Sequence, residues 1–483
     1  MRTLMTVLGL VAVMGLSARA GAPSVAGGGL FVESAESASS KVTVSGELRS
    51  RWEMIRDNMT DFDSQQHDHE EWVDSRLRLG LAFELAAGTK VFVQPQVRYA
   101  WGVDGEEDDL LLYQGYVVFT PEIFGYNTVL TLGRQELALG SEMLLGNDTK
   151  YTGLSHDAVR LDVKLIDNLD TTLFVAKAVE GTVAGADETN GLGTTGATIN
   201  DVHLWGLWNT YRFNEDAILD VYLLYLQSDV EFNGAAIAAA ATTADLLNAV
   251  ANVNEFNTDG KIWTLGARFK IDKFEVLGQK FDFSAELAVQ AGTINIGGEP
   301  TDSDGDLQND LDIKDSFAFE TEFGWSPELP WSPRLSGGMA WASGDDDFED
   351  GNINHFFPMF QEVQGRLGKA DLFTLENLRC WYATLTVKPM DIEKLSAGLS
   401  FLRFNAFEEY DVFGVGGRQL LGSNVNDVGD EYDVFMAYKV NENTDLKFCW
   451  SYLEPEDMIH DTVTDDLGNS PAHRIHMTLI VKF

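Results

Sequence analysis

The sequence predicts an all-β fold: a transmembrane antiparallel β-barrel of about 18 strands with long extracellular loops and short periplasmic turns. Three observations predict it. Segments of about ten residues alternate apolar and polar side chains, the length a tilted strand needs to cross a bilayer. The connections between them alternate long and short. The last alternating segment runs to the chain end and closes on Phe483.

The chain opens with Arg2, an apolar run from Leu4 to Leu16, and Ala18-Arg19-Ala20. This is the pattern of a cleavable export signal. Residues 1–20 therefore read as a signal peptide, 21–40 as a short periplasmic segment and 41–483 as the barrel. The run falls short of the roughly 20 residues a spanning helix needs, and no later run reaches that length, which argues against a helical inner-membrane protein. The bulk composition, 45% hydrophobic and 23% charged, is that of an ordinary folded chain. A barrel gives the same average because its polar lumen offsets its apolar outside.

Period-two alternation runs through the whole chain. Val42, Val44, Leu48 and Trp52 interleave with Thr43, Glu47, Arg49 and Arg51. Leu77, Leu79, Leu81 and Phe83 interleave with Arg76, Arg78 and Glu84. Trp263, Leu265 and Phe269 interleave with Thr264, Arg268 and Lys270. The expected strands are 41–54, 72–85, 90–101, 110–120, 127–135, 156–164, 169–179, 202–213, 217–227, 261–270, 281–291, 316–324, 333–342, 372–386, 394–404, 431–439, 444–452 and 473–483. Those at 127–135, 316–324 and 394–404 alternate poorly. With a periplasmic N-terminus, the long connections such as 136–155, 228–260 and 343–371 fall outside the cell, and short ones such as Ala86–Thr89 fall in the periplasm. The final strand, Ile475 to Phe483, resembles the signal read by the outer-membrane assembly machinery, a further reason to place the chain in a bacterial outer membrane.

The formal net charge is −42, and its placement is uneven. About 48 of the 76 acidic residues fall in the nine expected outer connections, against a handful of the 34 basic ones. The strands and turns are close to neutral. Arg49, Arg51, Arg76, Arg78, Arg98, Arg160, Lys164, Arg268 and Arg474 occupy the polar phase of their strands. A charge facing lipid at the midplane costs about 2–4 kcal/mol, so these side chains belong in the lumen. They read either as a basic track for an anionic solute or as partners of lumenal acids such as Glu47, Glu84, Asp162 and Glu286.

Asp302, Asp304 and Asp306, with Asp310 and Asp312 beyond, form a stretch rich in hard oxygen ligands. It reads either as a Ca²⁺ loop or as a solvated acidic loop, and Asp345, Asp346, Asp347, Glu349 and Asp350 form a similar cluster. Bridging of divalent cations to lipopolysaccharide phosphates is a third reading. Ala235–Val253 reads as a short helix in the mouth or as a disordered stretch. Cys380 and Cys449 lie in no C-x-x-C motif, and an exported compartment admits either a disulfide or two thiols. Enzyme signatures are weak: there is no G-x-S-x-G, P-loop or H-E-x-x-H, and His67 and His69 lack an obvious third ligand. No nucleic-acid-binding pattern is present.

Specific motifs point to a family. Leu132-Gly133-Arg134-Gln135-Glu136-Leu137, Gly140, Leu144-Leu145-Gly146 and His156-Asp157-Ala158-Val159-Arg160 form one set. Ala342-Ser343-Gly344-Asp345, Asp350-Gly351 and Phe356-Phe357-Pro358-Met359-Phe360 form a second, and Gly429-Asp430-Glu431-Tyr432-Asp433 a third. In order and spacing they resemble the alginate-export family of outer-membrane porins. The resemblance implies an eighteen-stranded monomeric barrel whose narrow, Arg-lined pore is constricted by loops and passes an anionic polysaccharide or smaller anionic solute. It implies Arg134 and Arg160 as pore residues, while Arg49, Arg76, Arg98 and Arg268 rest on strand phase. Two features depart from the family: the strands are near neutral, and its tryptophan-containing segment reads Asn147-Asp148-Thr149-Lys150-Tyr151 here. The expectation is a channel for anionic solutes. The alternatives are a general or cation-tolerant diffusion porin, and a plugged structural or adhesive barrel with calcium-binding loops.

Overall fold

The computed structural model describes residues 41–483 apart from 57–68, 86–87, 103–108, 148–150, 181–200, 230–258, 296–309, 347–350, 363–365, 390–391, 393, 410, 416–417, 422–424 and 459–470. Eighteen antiparallel strands form one closed barrel. They are β1 (Lys41–Arg56), β2 (His69–Glu84), β3 (Thr89–Trp101), β4 (Asp109–Phe119), β5 (Tyr126–Gln135), β6 (His156–Ile166), β7 (Leu169–Glu180), β8 (Asp201–Arg212) and β9 (Ala217–Asp229). The second half comprises β10 (Asp259–Val276), β11 (Gln279–Asn295), β12 (Asp310–Ser326), β13 (Arg334–Ala342), β14 (Leu378–Val387), β15 (Leu395–Ala406), β16 (Asp427–Asn441), β17 (Thr444–Pro455) and β18 (Ala472–Lys482). Each strand pairs with its neighbours in sequence, and β1 pairs with β18 to close the ring. Closure leaves no edge with unpaired backbone groups, the condition for a sheet in lipid.

Every expected strand is present, including the three that alternate poorly. Three boundaries differ by six residues: the strand expected at 372–386 starts at Leu378, so 372–377 belong to the preceding connection, the one expected at 261–270 runs on to Val276, and the one expected at 316–324 starts at Asp310. Pairing also continues past the expected limits, at the outer ends of β12 and β16 and at the short-turn end of β10.

The outer surface follows from the apolar phase. Val221 and Leu223 on β9, Trp263 and Leu265 on β10, and Leu287 and Val289 on β11 all point outward and are exposed. Aromatic rings border this band. Trp205, Tyr225 and Trp263 stack in one row, with centroids 5.2 and 4.3 Å apart. Tyr211, Phe213 and Phe269 form another row, 5.0 and 6.1 Å apart. Trp263 and Phe269 are roughly 20 Å apart along β10, which sets the height of an apolar band between two interfacial girdles.

The closing seam uses the chain end. Phe483 exchanges both backbone hydrogen bonds with Gly46, at 2.7 and 3.0 Å. A Cβ at position 46 would lie 2.3 Å from the Phe483 ring, so glycine there is what lets the terminal ring lie over β1.

The lumen differs from the expectation for a simple barrel with all its loops outside. The described residues of two long outer connections, 136–155 and 343–377, fold back inside. Leu137, Met143, Leu144 and Leu145 from the first are buried together with Phe356, Phe360, Phe373 and Leu375 from the second. They pack on an inward face that is itself apolar, including Phe174 on β7, Leu204 and Trp208 on β8, and Leu224 and Leu226 on β9. The two segments also bond each other: Gly146 N donates to Phe360 O at 2.6 Å and Phe360 N to Leu144 O at 2.8 Å. Burial of this apolar surface, not loop stiffness, draws them in.

Candidate functional site

Six arginines converge on the inner wall formed by β18, β1, β2 and β3. Arg49 and Arg51 lie two apart on β1, and Arg76 and Arg78 lie two apart on β2, so each pair shares a face. Register sets Arg49 opposite Arg76, and Arg76 opposite Arg98 on β3. Arg474 comes from β18. All but Arg98 are buried.

Carboxylates interleave with them. Asp74 accepts from Arg49 Nη2 at 2.6 Å and from Arg98 Nε at 2.5 Å. Glu47 accepts from Arg76 Nη2 at 2.8 Å. Glu53 pairs with Arg51 at 2.7 Å and with Arg474 at 3.1 Å. Glu136 lies 3.8 Å from Arg78, whose guanidinium stacks on Tyr113 at 3.6 Å and donates to Gln96 at 2.6 Å. Asp371 lies 4.0 Å from Arg474, so among the described residues the six guanidiniums face five carboxylates, a formal surplus of one positive charge.

Backbone oxygens of the infolded 136–155 segment meet that surplus. Tyr151 O accepts from Arg76 Nη1 at 2.8 Å and from Arg49 Nη2 at 3.2 Å. Thr152 O accepts from Arg78 Nη2 at 2.9 Å. The Tyr151 phenol donates to Glu53 Oε2 at 2.6 Å and accepts from Arg474 Nη2 at 3.0 Å. Its ring lies 5.0 Å from the Arg98 guanidinium. Arg51 Nη2 is buried with no hydrogen-bond partner. Arginines here hold peptide oxygens, the partial-charge equivalent of an anion's oxygens.

The opposite wall has the other sign. Glu286 and Glu320 accept from the Ser141 backbone and hydroxyl, both at 3.3 Å, and Tyr222 donates to Glu286 at 2.8 Å. Arg366 lies 3.2 Å from Glu320. Glu431 Oε1 accepts from Lys369 N at 2.7 Å and Ala370 N at 2.8 Å, while Arg474 donates to Ala370 O. Acids thus hold N–H groups of both infolded segments, at Ser141 in the first and at Lys369 and Ala370 in the second, and arginines hold carbonyls of both, at Tyr151 and Thr152 and at Ala370.

A buried cation ties the outer connections together. His355 Nδ1 lies 2.7 Å from Asp411 and Nε2 lies 3.6 Å from Glu376. Burial alone lowers the pKa of the imidazole, but the two carboxylates outweigh it and raise the value to about 10. Asp411 also accepts from Asp345 N at 2.8 Å.

The residues expected from sequence separate into three groups. Arg49, Arg76 and Arg98 lie in the cluster. Arg160 and Arg268 also face inward, away from it, and pair with Asp162 at 2.9 Å and Asp220 at 2.8 Å. Arg134 does not face the lumen. Register sets it opposite Asp157, in phase with Leu132 opposite Val159, and its side chain is 43% exposed beside Asp157 on the outer surface. A register position in a motif carries no information on which face it occupies, and Gln135, one residue on, is the inward residue. Tyr151 was the residue missed, in a segment read only as a departure from the family pattern.

Asp302, Asp304 and Asp306 lie outside the described residues, as do His67 and Ala235–Val253. Asp310 begins β12. Among the described residues no group of three or more His, Cys, Asp or Glu side chains is arranged to hold a metal. Cys380 and Cys449 are separate buried thiols.

A closed 18-stranded barrel with an apolar outside and a charged, loop-constricted lumen is an outer-membrane channel of the porin type. The sequence matches the alginate-export family over residues 41–473, and the chain belongs to that family. Solved structures share the fold at low identity. Pseudomonas aeruginosa OccK11 (OpdR) aligns at 12% identity and TM-score 0.56, over 92% of this chain and 96% of that one. Acinetobacter baumannii OccAB2 aligns at 12% and 0.54, over 91% and 98%. P. aeruginosa OprD aligns at 10% and 0.54, over 92% and 95%. No curated protein matches the chain by sequence. The protein is an outer-membrane channel.

Proposed function

We propose that the channel passes anionic solutes, uronic-acid oligomers or polymers among them, passively and without catalysis, along the arginine wall of β18, β1, β2 and β3. The observation that carries this is the excess of guanidinium over carboxylate at that wall, with the carbonyls of Tyr151 and Thr152 accepting from Arg49, Arg76 and Arg78. A carboxylate presents the same oxygens with a full charge, and bidentate pairing favours it over a peptide carbonyl. Arg160 and Arg268 each have one carboxylate partner and contribute less.

The reading is tested by reversal potentials of the purified protein in planar bilayers under a salt gradient. Anion preference that falls when Arg76 and Arg98 are changed to Gln is the expected result. Cation preference in the unaltered protein would refute it and leave a cation-tolerant porin. One observation favours a second reading. The arginine wall is covered by infolded segments, Arg49 being 4% exposed. A folded barrel with no conductance at any voltage would make the protein a plugged structural barrel.

A further inference from the structure

The outward face of β5 to β10 carries a basic row, away from the arginine wall. Register makes Arg134 on β5, Asp157 on β6, Lys177 on β7, His203 on β8, Gln227 on β9 and Lys261 on β10 successive partners. All six lie on the outward phase. Arg134 and Asp157 are exposed together. Lys177 is two residues beyond exposed Val175, and Lys261 two before exposed Trp263. The His203 ring leans on Trp205, with centroids 5.7 Å apart, and Gln227 is two residues beyond Tyr225 of the same aromatic row. Three bases thus face one acid, Asp157, which accepts from Arg134 at 3.0 and 2.7 Å.

The aromatic row fixes the depth. Trp205, Tyr225 and Trp263 form the rung directly beneath, at the strand ends that lead into the long connections. Trp and Tyr settle at the boundary between hydrocarbon and headgroups. One rung is two residues, about 7 Å. The headgroup layer on each side of a bilayer is about 5–8 Å deep. The basic row therefore lies among the headgroups of the outer leaflet.

Its charge is local. Further out, register places Glu180 opposite Asp201 and Asp229 opposite Asp259, so the basic level is one rung deep. Across the barrel the same rung is acidic. Tyr432 and Tyr452 form the girdle on β16 and β17, 6.2 Å apart, and the rung above them sets Asp430 opposite Glu454. Arg403 there is bonded to Asp430 at 3.2 Å and to Asp427 at 3.1 Å. In a chain of net charge −42, bases gathered on one outward rung at headgroup depth match an anionic headgroup. Arg134 and Lys177 are two strands apart and Lys177 and Lys261 three, about 10 and 14 Å. That spread suits phosphates carried at the two ends of a disaccharide.

We infer that this row binds the phosphates of lipid A, the anionic lipid of the outer leaflet. Arg134, Lys177 and Lys261 supply the charge, and His203 and Gln227 lie between them as hydrogen-bonding groups. Asp157 holds the Arg134 guanidinium in place. The site is separate from the lumen and does not depend on which solute passes through it.

The test is native mass spectrometry of the full-length protein in detergent and EDTA, titrated with purified bisphosphorylated lipid A. One variant combines Arg134→Gln, Lys177→Gln and Lys261→Gln. A control variant combines Lys273→Gln, Lys280→Gln and Lys394→Gln, removing the same charge at the short-turn ends. The unaltered protein and the control are expected to hold lipid A, and the first variant to bind it at least tenfold more weakly. With dephosphorylated lipid A that difference is expected to vanish. Heat-modifiable mobility, expected to be alike in all three, shows that each barrel is folded. Equal lipid A binding by the first variant would overturn the inference, and so would an equal loss in the control, which would make net charge the cause. Binding that appears only when Mg²⁺ replaces EDTA would also overturn it and assign lipid A to the acidic residues further out. A dimer of the unaltered protein that the first variant dissociates would make the row an interface between barrels instead.

Discussion

Tyr151→Phe tests whether the infolded 136–155 segment is a fixed wall or a releasable one. The change removes one oxygen and keeps the ring, so packing against Arg98 and Arg51 survives. Two hydrogen bonds go: the donation to Glu53 at 2.6 Å and the acceptance from Arg474 at 3.0 Å. Glu53 keeps Arg51 and Arg474 as partners, so no charge is stranded. A hydrogen bond to a charged group contributes about 1.5–3 kcal/mol, and about 2 kcal/mol is a fair net loss. If the segment exchanges between docked and released positions, that loss raises the released fraction by roughly 30-fold, at 1.4 kcal/mol per factor of ten. Single-channel recording in planar bilayers reads it directly, as longer and more frequent occupancy of a higher-conductance level. Dwell times and conductance identical to those of the unaltered protein would refute the reasoning. The clamp would then be static architecture, and anions would have to pass beside it.

Three further outcomes follow from the same geometry. Arg134→Gln is expected to leave the reversal potential unchanged and to cost at most about 1 kcal/mol of stability, because an exposed pair with Asp157 on the outer surface contributes little; a change in selectivity measured under a salt gradient would contradict the outward placement. His355 has a raised pKa in the fold, about 10, so its contribution is complete below the unfolded value near 6.5 and is lost as pH rises through 10. Proteolysis of the outer connections should therefore quicken between pH 7 and 10 in the unaltered protein, and His355→Gln should remove that pH dependence. Gly46→Leu collides with the Phe483 ring and should block closure, seen as loss of the heat-modifiable band on a gel, whereas Gly337→Ala, where φ is not positive and a Cβ would meet only the Tyr382 carbonyl at 3.4 Å, should assemble.

Most of the barrel was legible because its determinants are local. The side chains in each strand must match water or polar protein on one face and lipid on the other, and that requirement writes itself as period two. Leu223-Leu224-Tyr225-Leu226 shows where the rule fails: Leu223 and Tyr225 face outward, while Leu224 and Leu226 are wholly buried under the infolded segments. An unbroken apolar run in a barrel strand thus signals a covered inner face. The same signal is present in Leu137 to Leu145 and Phe356 to Phe360, which are too apolar for connections left in water. The arginine phases at 49, 76 and 98 were readable from alternation, and Arg134 was misplaced because the motif, not the phase, assigned it. Tyr151 gave no local signal. Its role depends on six arginines brought from four strands, and that is a property of the closed ring.

The net charge of −42 and the arginine wall make opposite demands on a permeating anion, and salt separates them. By sequence the excess acid falls in the expected outer connections, and mobile ions screen solvent-exposed charge, with a Debye length of about 30 Å at 0.01 M and about 3 Å at 1 M. The guanidiniums at the wall are buried among protein groups and are screened far less. At low salt the mouth repels anions before they reach the wall. As salt rises that barrier collapses while the wall keeps its surplus. Anion preference should therefore grow between 0.01 and 1 M salt, measured as the reversal potential at a fixed ratio across the bilayer. A simple charged pore does the reverse and loses selectivity as salt increases. Should the preference fall steadily with salt, the selective charges are exposed ones, and the arginine wall serves only to anchor Tyr151.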